Sequence, residues 1–484
     1  MFLKRLKLVT VIPIVMMITA MILRPIWRDE VWALYFSDPN MEIGTLLMQR
    51  INHDTHPPFY FIIQHFWRSI FDSILWSKAF NLVCLLLGGG IAWKMGNKHR
   101  RETQLFLLLC LGSYWVIYFM AEIRPYMLLF TLCVLSTIFI RNVTSVKHAP
   151  PIGTYLIWLC LTVALSLTHY YAALWMGLCG GSLALHGLYM KRNSQFWGFG
   201  LLTAIGLIPI SLWIYYSLGT INFGFEDRTK VEFLTFGLNQ FRRAIIDKTL
   251  GSNLAIAAIA ILTLPTLLRQ REHSDIIMLG TAVSLVMIVF TIHVFVQPFI
   301  KERSFIVIIP SLIYLMTRAI LIKLDSNTAN PRLFKAAIVM AIITPFLFAG
   351  EFFKDREKID DVRAIFTQYP TCQNAPIATY YRPSPQGDDY AAYYTKISLK
   401  NVYKRGNPPI LLSVQTLTPA TLDTILKSNC PIKVLALNLP RGEKQEHIVF
   451  RQVLNDADIP YENLALTSIA KNRNILYLDS SSQN

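Results

Sequence analysis

Acidic and imidazole side chains are concentrated in one short region near the amino terminus of an otherwise apolar chain. Asp29 and Glu30 stand side by side, directly after the first apolar run. Residues 52–60, NHDTHPPFY, then place Asp54 and His56 immediately before a Pro-Pro pair and two aromatic residues. A carboxylate or an imidazole can accept a proton from a hydroxyl group, so these residues are candidates for general acid–base chemistry.

Further polar side chains stand at the ends of later apolar runs. They are Glu122 and Arg124, His169 and Tyr170, and Lys301, Glu302 and Arg303. Carboxylates can take the proton of an attacking hydroxyl group, and arginine or lysine can stabilise a phosphate group as it leaves. Charged residues deep within the runs, which would indicate an ion or proton path, are scarce. The pattern favours a reaction site at the membrane–water boundary over a channel.

The elements that must position these residues are predicted to be membrane-spanning helices. The chain has 484 residues, of which 53% are hydrophobic and 16% charged, and its mean hydropathy is +0.40. A bilayer core about 30 Å thick needs roughly 20 helical residues to cross it. The sequence therefore predicts a polytopic α-helical membrane protein. Its eleven predicted spans are 8–24, 76–95, 103–120, 125–140, 154–170, 171–189, 196–217, 253–268, 275–297, 304–322 and 333–350.

The net charge of +16 follows the predicted topology of the chain. Its basic clusters fall in alternate loops between the spans, as expected for loops on the cytoplasmic side. No nucleic-acid partner is needed to explain them. The pattern predicts a multi-pass protein of the cytoplasmic membrane, with a cytoplasmic amino terminus, an uncleaved first span and a carboxyl terminus on the outer side.

Two domains are predicted, a transmembrane domain over 1–350 and an extracytoplasmic domain over 351–484. The first outer loop, 25–75, contains two amphipathic stretches at 41–51 and 59–71 that are typical of helices lying on the membrane surface. In the second domain, the apolar runs APIATYY, PILLSV, IKVLALNL and NILYLD alternate with helical patterns at 419–429 and 443–456, which indicates a small α/β fold.

The cysteines divide in the same way. Five lie inside apolar spans, where they serve as small hydrophobic residues, and only Cys372 and Cys430 lie in the outer domain. A pair in an oxidising compartment can form a disulfide, but the sequence leaves open whether these two cysteines meet in space.

Chemistry on the outer face of a cytoplasmic membrane has no supply of nucleotide-sugars or ATP. A transfer reaction there must use a donor carried in the lipid, such as a sugar on polyprenyl phosphate. It needs a base for the acceptor hydroxyl and cations for the departing phosphate, and the polar loops contain both kinds of group.

The order of the motifs resembles the dolichyl-phosphate-mannose–protein mannosyltransferase superfamily, which includes the bacterial lipid A aminoarabinose transferases. The motifs are the acidic pair after the first span, HPPFY, the E-x-R-P-Y segment EIRPY, THYY and ERSF, within roughly residues 10–350. The resemblance implies a GT-C fold, a polyprenyl- or dolichyl-phosphate sugar donor and inversion at the anomeric carbon.

The resemblance also implies roles for individual residues. Asp29 matches the catalytic base, with Glu30 beside it. The other matches fall into two groups, a donor-phosphate group of Arg303, Lys301 and Arg124, and a substrate-binding group of His56, Glu122, His169 and Tyr170. The sequence contains no clear set of metal ligands, so a divalent metal cofactor is left open.

The rival interpretations are a lipid or glycan transporter or flippase without bond chemistry, a polysaccharide polymerase or ligase, and a receptor-like scaffold whose outer domain binds a partner. A transporter would be expected to have polar groups at mid-span and symmetry between its halves, and a polymerase to have catalytic residues in a large late loop. The acids in the first loop favour a glycosyltransferase in contact with membrane lipids. Its acceptor, a cell-envelope glycan, a lipid or a protein, is left open, although the large insert that accompanies protein acceptors is missing.

Overall fold

The computed structural model describes residues 11–24, 26–54, 56–146, 150–217, 229–250, 272–295 and 300–325, isolated residues elsewhere, and five strands with short flanking segments after residue 371. The chain divides into two units. The first contains Met1–Arg24 and Phe36–Phe353, and the second contains Pro25–Tyr35 and Lys354–Asn484.

In its described part, the first unit is built from helices. They are α1 (Val11–Leu23), α3 (Ile43–Gln49), α4 (Phe59–Ile70), α5 (Ile74–Met95), α6 (Arg100–Leu111), α7 (Tyr114–Met120), α8 (Tyr126–Ser145), α9 (Ile152–Ser166), α10 (Tyr170–Tyr189), α11 (Asn193–Ser217), α12 (Lys230–Phe241), α13 (His273–Phe295) and α14 (Ile309–Asp325). Short 3₁₀ segments cover Ile51–His53, Gly96–His99 and Glu302–Ile308, and Arg242–Leu250 form a π-helix.

Within the described residues, five helical stretches are long and apolar enough to cross a membrane. They are Ile74–Leu111, Tyr126–Ser145, Asn193–Ser217, His273–Phe295 and Glu302–Asp325. The two predicted surface helices correspond in position to α3 and α4. The predicted spans 253–268 and 333–350 lie almost entirely outside the described residues.

The predicted span 103–120 is wrong as one continuous helix, because the chain breaks between α6 and α7. Gly112 ends α6, and the side chain of Ser113 accepts a hydrogen bond from the backbone N–H of Val116 to start α7. Serine favours this N-cap position because its hydroxyl satisfies a backbone donor that has no partner inside the helix. A hydropathy window averages over such a break and does not detect it.

Two contacts hold α8, which carries central residues of the candidate site. In its second turn, α8 packs so closely on α5 that a β-carbon at Gly88 would overlap the side chain of Thr131. Such close approach of small residues is how membrane helices associate without a hydrophobic driving force. Nearer its other end, Arg141 pairs with Glu102 on α6, 2.9 Å from Nε to Oε1, and with Glu272.

The same ion cluster ties α6 to α14. Arg318 on α14 pairs with Glu102 at 3.1 Å and with Glu272, and the Tyr314 hydroxyl donates to Glu102. A buried charge is costly unless it is paired, so the four helix ends are held in one arrangement. This cluster stands roughly 22 Å along α8 from Tyr126, at 1.5 Å per helical residue.

The second unit contains α2 (Arg28–Tyr35) and a mixed five-stranded sheet. The strands are β1 (Pro376–Tyr381), β2 (Ile410–Ser413), β3 (Ile432–Leu437), β4 (Ala465–Ser468) and β5 (Ile475–Asp479), in the order β2-β1-β3-β5-β4. β1 is parallel to β2 and to β3, whereas β5 is antiparallel to β3 and β4.

Four of these strands fall in the apolar runs named from the sequence, whereas β4 has the polar sequence ALTS and was missed. The helical patterns at 419–429 and 443–456 lie largely outside the described residues. Cys372 and Cys430, which the sequence left open as a pair, form a disulfide across 58 positions of the chain.

Candidate active site

Tyr126 is the residue on which four of the predicted site residues converge. It begins α8 directly after Pro125, whose φ of −65° is preset for the start of a helix. Its ring lies beneath two guanidinium groups, with Arg124 Cζ 5.8 Å and Arg303 Cζ 5.4 Å from the ring centroid. The His56 imidazole reaches its hydroxyl group at 3.1 Å, and the His169 ring lies 6.1 Å away between centroids.

The hydrogen bonds of His56 determine its tautomer. Its Nδ1 lies 3.2 Å from Asp54 Oδ2, and a carboxylate can only accept, so the Nδ1–H donates to Asp54. Nε2 is then the acceptor for the Tyr126 hydroxyl. Burial lowers the pKa of His56, and the charges of Arg124 and Arg303 lower it further, while Asp54 opposes the shift. The imidazole is therefore held neutral between a carboxylate and a phenol.

Three helix starts meet at this cluster. α8 begins at Tyr126, α10 begins beside His169, and the 3₁₀ segment Glu302–Ile308 begins beside Lys301. His169 is the N-cap of α10, where its Nδ1 accepts from the backbone N–H of Tyr171 at 3.2 Å, and its ring lies 5.3 Å from that of His56. Helix amino termini carry partial positive charge, which adds to the field of the two arginines. The cluster is suited to binding an anion.

The remaining predicted residues of the first unit are placed differently. Tyr170 is the first residue of α10 and is partly exposed, and Lys301 is exposed. Glu122 is fully buried, and its Oε1 accepts from Arg24 Nη2 at 2.9 Å. The roles of Tyr170 and Glu122 in binding substrate, and of Lys301 in binding the donor phosphate, stay predictions.

The ion pair of Glu122 anchors the end of α1. Arg24 also lies over the Tyr118 ring, 4.8 Å from Cζ to the centroid, and its carbonyl accepts from Lys78 at 2.5 Å. Asn81 donates to the backbone carbonyl of Glu122 at 2.6 Å. The chain is therefore fixed where it leaves α1, five positions before Asp29.

Asp29 and Glu30 belong to the second unit, in the first turn of α2. Glu30 is buried, and its Oε2 accepts from the backbone N–H of Trp27 at 3.1 Å, whereas Asp29 is partly exposed. Acids in a first turn are stabilised by the helix dipole. In the same unit, Tyr393 contacts the far end of α2, where its hydroxyl donates to the Leu34 carbonyl at 3.1 Å.

Two residues that make central contacts in the structure were not predicted from the sequence. Tyr126 belongs to the EIRPY motif but was given no role, and its contact with two arginines could not be predicted from spacing. Lys248, in the long loop between predicted spans, carried no signal at all. Among the described residues, no three His, Cys, Asp or Glu side chains are arranged to hold a metal ion.

The architecture is that of a polytopic membrane protein whose polar site lies at the ends of its helices. No family model and no curated protein sequence matches the chain. Its fold matches the crystal structure of ArnT from Cupriavidus metallidurans in the apo state, with a TM-score of 0.63 and 12% sequence identity over 99% of this chain and 98% of that chain. The structure of the same protein bound to undecaprenyl phosphate matches with a TM-score of 0.59, 12% identity and the same coverage. These two matches confirm the fold that the resemblance implied.

Proposed function

We propose that the chain is an inverting glycosyltransferase that moves a sugar from a polyprenyl-phosphate donor to an acceptor hydroxyl on the outer face of the cytoplasmic membrane. The observation that carries the proposal is that the guanidinium groups of Arg124 and Arg303 both lie over the Tyr126 ring, where three helices begin. Such a concentration of positive potential suits a phosphate group. The match to ArnT bound to undecaprenyl phosphate supports the same class of ligand.

In the proposed reaction, Asp29 accepts the proton of the acceptor hydroxyl as its oxygen attacks the anomeric carbon. The bond from that carbon to the phosphate oxygen breaks, and polyprenyl phosphate leaves with the electron pair. Arg303 and Arg124, with Lys301, stabilise the charge that develops on the phosphate. His56 and His169, together with Glu122 and Tyr170, are proposed to orient the donor and the acceptor.

The proposal includes the finer topology inferred from the basic loops. It comprises eleven spans, a cytoplasmic amino terminus and an outer α/β domain after residue 350. The acceptor is a hydroxyl group of a cell-envelope glycan, lipid or protein.

The decisive experiment compares acid variants in a transfer assay. Wild-type protein and the Asp29→Asn variant are given a lipid extract containing radiolabelled polyprenyl-phosphate sugars, and label transferred to envelope material is measured. General-base help is typically worth about 10² to 10⁴ in rate, so Asp29→Asn should lose that factor and keep donor binding. Glu30→Gln should be milder if Glu30 only orients its neighbour. Asp325→Asn removes an exposed carboxylate from the end of α14 and is the matched control.

Near-normal transfer by the Asp29→Asn, Glu30→Gln double variant would refute the mechanism. If the wild-type protein moved lipid-linked sugar across vesicle membranes without forming a new glycoside, the transporter interpretation would replace it.

A further inference from the structure

Lys248 lies in an unusual stretch of backbone. The π-helix Arg242–Leu250 follows α12 directly, and π-helical turns are uncommon and frequently occur at functional sites. The Thr249 hydroxyl accepts from Trp115 Nε1 at 2.9 Å and donates to the Ala244 carbonyl at 2.7 Å. The π-helix is thereby tied to α7, with Lys248 directed against the same helix.

A carboxylate and three aromatic rings surround the ammonium group of Lys248. Its Nζ lies 2.6 Å from Glu302 Oε1. It also lies 5.2, 5.6 and 5.7 Å from the ring centroids of Tyr114, Trp115 and Tyr118, within the range of cation–π attraction. Only 16% of the lysine side chain and 26% of the glutamate side chain are exposed. The pair is shielded from water, and screening by salt is correspondingly weak.

Glu302 occupies a position that poses an electrostatic problem for the phosphate site. It directly precedes Arg303, whose guanidinium group lies over the Tyr126 ring. Its backbone N–H donates to Gln240 Oε1 at 3.1 Å, so the turn that carries both residues is fixed to α12. Left unpaired, a carboxylate on the residue next to Arg303 would repel a phosphate bound by that arginine, because like charges repel each other.

We propose that Lys248 is a positioning residue of the donor-phosphate site. It holds Glu302 in an ion pair, so that Arg303 acts on an anionic lipid head group without competition from that carboxylate. This inference rests on the proposed function and assigns a role to a residue outside the predicted site. Lys248 acts through Glu302 and does not itself touch the phosphate.

The test is a double-mutant cycle on the full-length protein in nanodiscs. The variants are Lys248→Gln, Glu302→Gln and the two combined, with Lys94→Gln, an exposed lysine in the last turn of α5, as the matched control. Binding of undecaprenyl phosphate and the steady-state KM and kcat for the lipid-linked sugar are measured. An uncompensated carboxylate beside the arginine should raise the donor KM of Lys248→Gln about tenfold and weaken phosphate binding equally, with little change in kcat.

Removing the carboxylate as well should restore the donor KM of the combined variant to nearly the wild-type value. A merely structural role would lower the melting temperature and kcat without this rescue, and would overturn the inference. A combined variant as weak as Lys248→Gln alone would overturn it too, because Lys248 would then bind the phosphate directly. Failure of the wild-type protein itself to bind undecaprenyl phosphate would refute the proposed function, and this inference with it.

Discussion

Replacing Arg303 by alanine should weaken binding of a polyprenyl phosphate far more than it changes the fold. A hydrogen bond to a charged group contributes about 1.5–3 kcal/mol. Since 1.4 kcal/mol is a factor of ten in affinity, the loss should be about 10- to 100-fold. Arg303 is partly exposed, which favours the lower part of that range.

The assay is a titration of nanodisc-embedded protein with undecaprenyl phosphate, followed by measurement of donor KM. Arg303→Lys should recover only part of the loss, because an ammonium group cannot reproduce the two parallel hydrogen bonds of a guanidinium. Arg124→Ala should weaken binding in the same direction, since both guanidinium groups lie on the ring of Tyr126.

Arg101→Ala is the matched control. Arg101 pairs with Asp325 at 2.7 Å, and the two side chains are 53% and 62% exposed. An exposed pair of this kind typically contributes about 0.2–1 kcal/mol to stability. The Arg101–Asp325 pair also lies far from the cluster around Tyr126. If Arg303→Ala bound undecaprenyl phosphate as tightly as Arg101→Ala does, the phosphate site would not be where we place it.

Three further predictions concern other parts of the chain. The pKa of His56 is lowered in the free protein, and the negative charge of a bound phosphate should raise it, so phosphate binding should take up a proton and become tighter as the pH falls. Titrations in buffers of different ionisation enthalpy should show this proton uptake. If the uptake persisted in His56→Gln, His56 would be excluded as its source. Cys372 and Cys430 should resist thiol labelling until reduced, and reduction should destabilise their unit by about 4 kcal/mol in thermal melts; labelling of both in unreduced protein would contradict the bond. A phosphatase reporter fused after Asn484 should be active only on the outer side, and activity confined to the cytoplasm would reverse the topology.

The class of protein could be predicted because membrane insertion depends on local properties of the chain. Each span satisfies its own backbone hydrogen bonds, so the length and hydropathy of a run largely decide whether it can cross a bilayer. The family resemblance carried by the motifs also implied the fold, which a solved structure shares at only 12% identity. The break at Gly112 escaped detection because a cap is formed by one side chain within a run that is apolar throughout.

The arrangement of the candidate site depended on tertiary structure. His56, Arg124, His169 and Arg303 could be named from residue type and loop position, but nothing in their spacing indicates that all four lie close to Tyr126.

The contacts of Lys248 could not be predicted from the sequence for the same reason. Its partner Glu302 is far along the chain, and its aromatic neighbours belong to a third segment. Hydropathy and motifs specify which residues reach a helix end, whereas the packing of several helices decides which of those ends meet. Electrostatic interactions depend on the distance between the charged groups, and only the folded chain sets that distance.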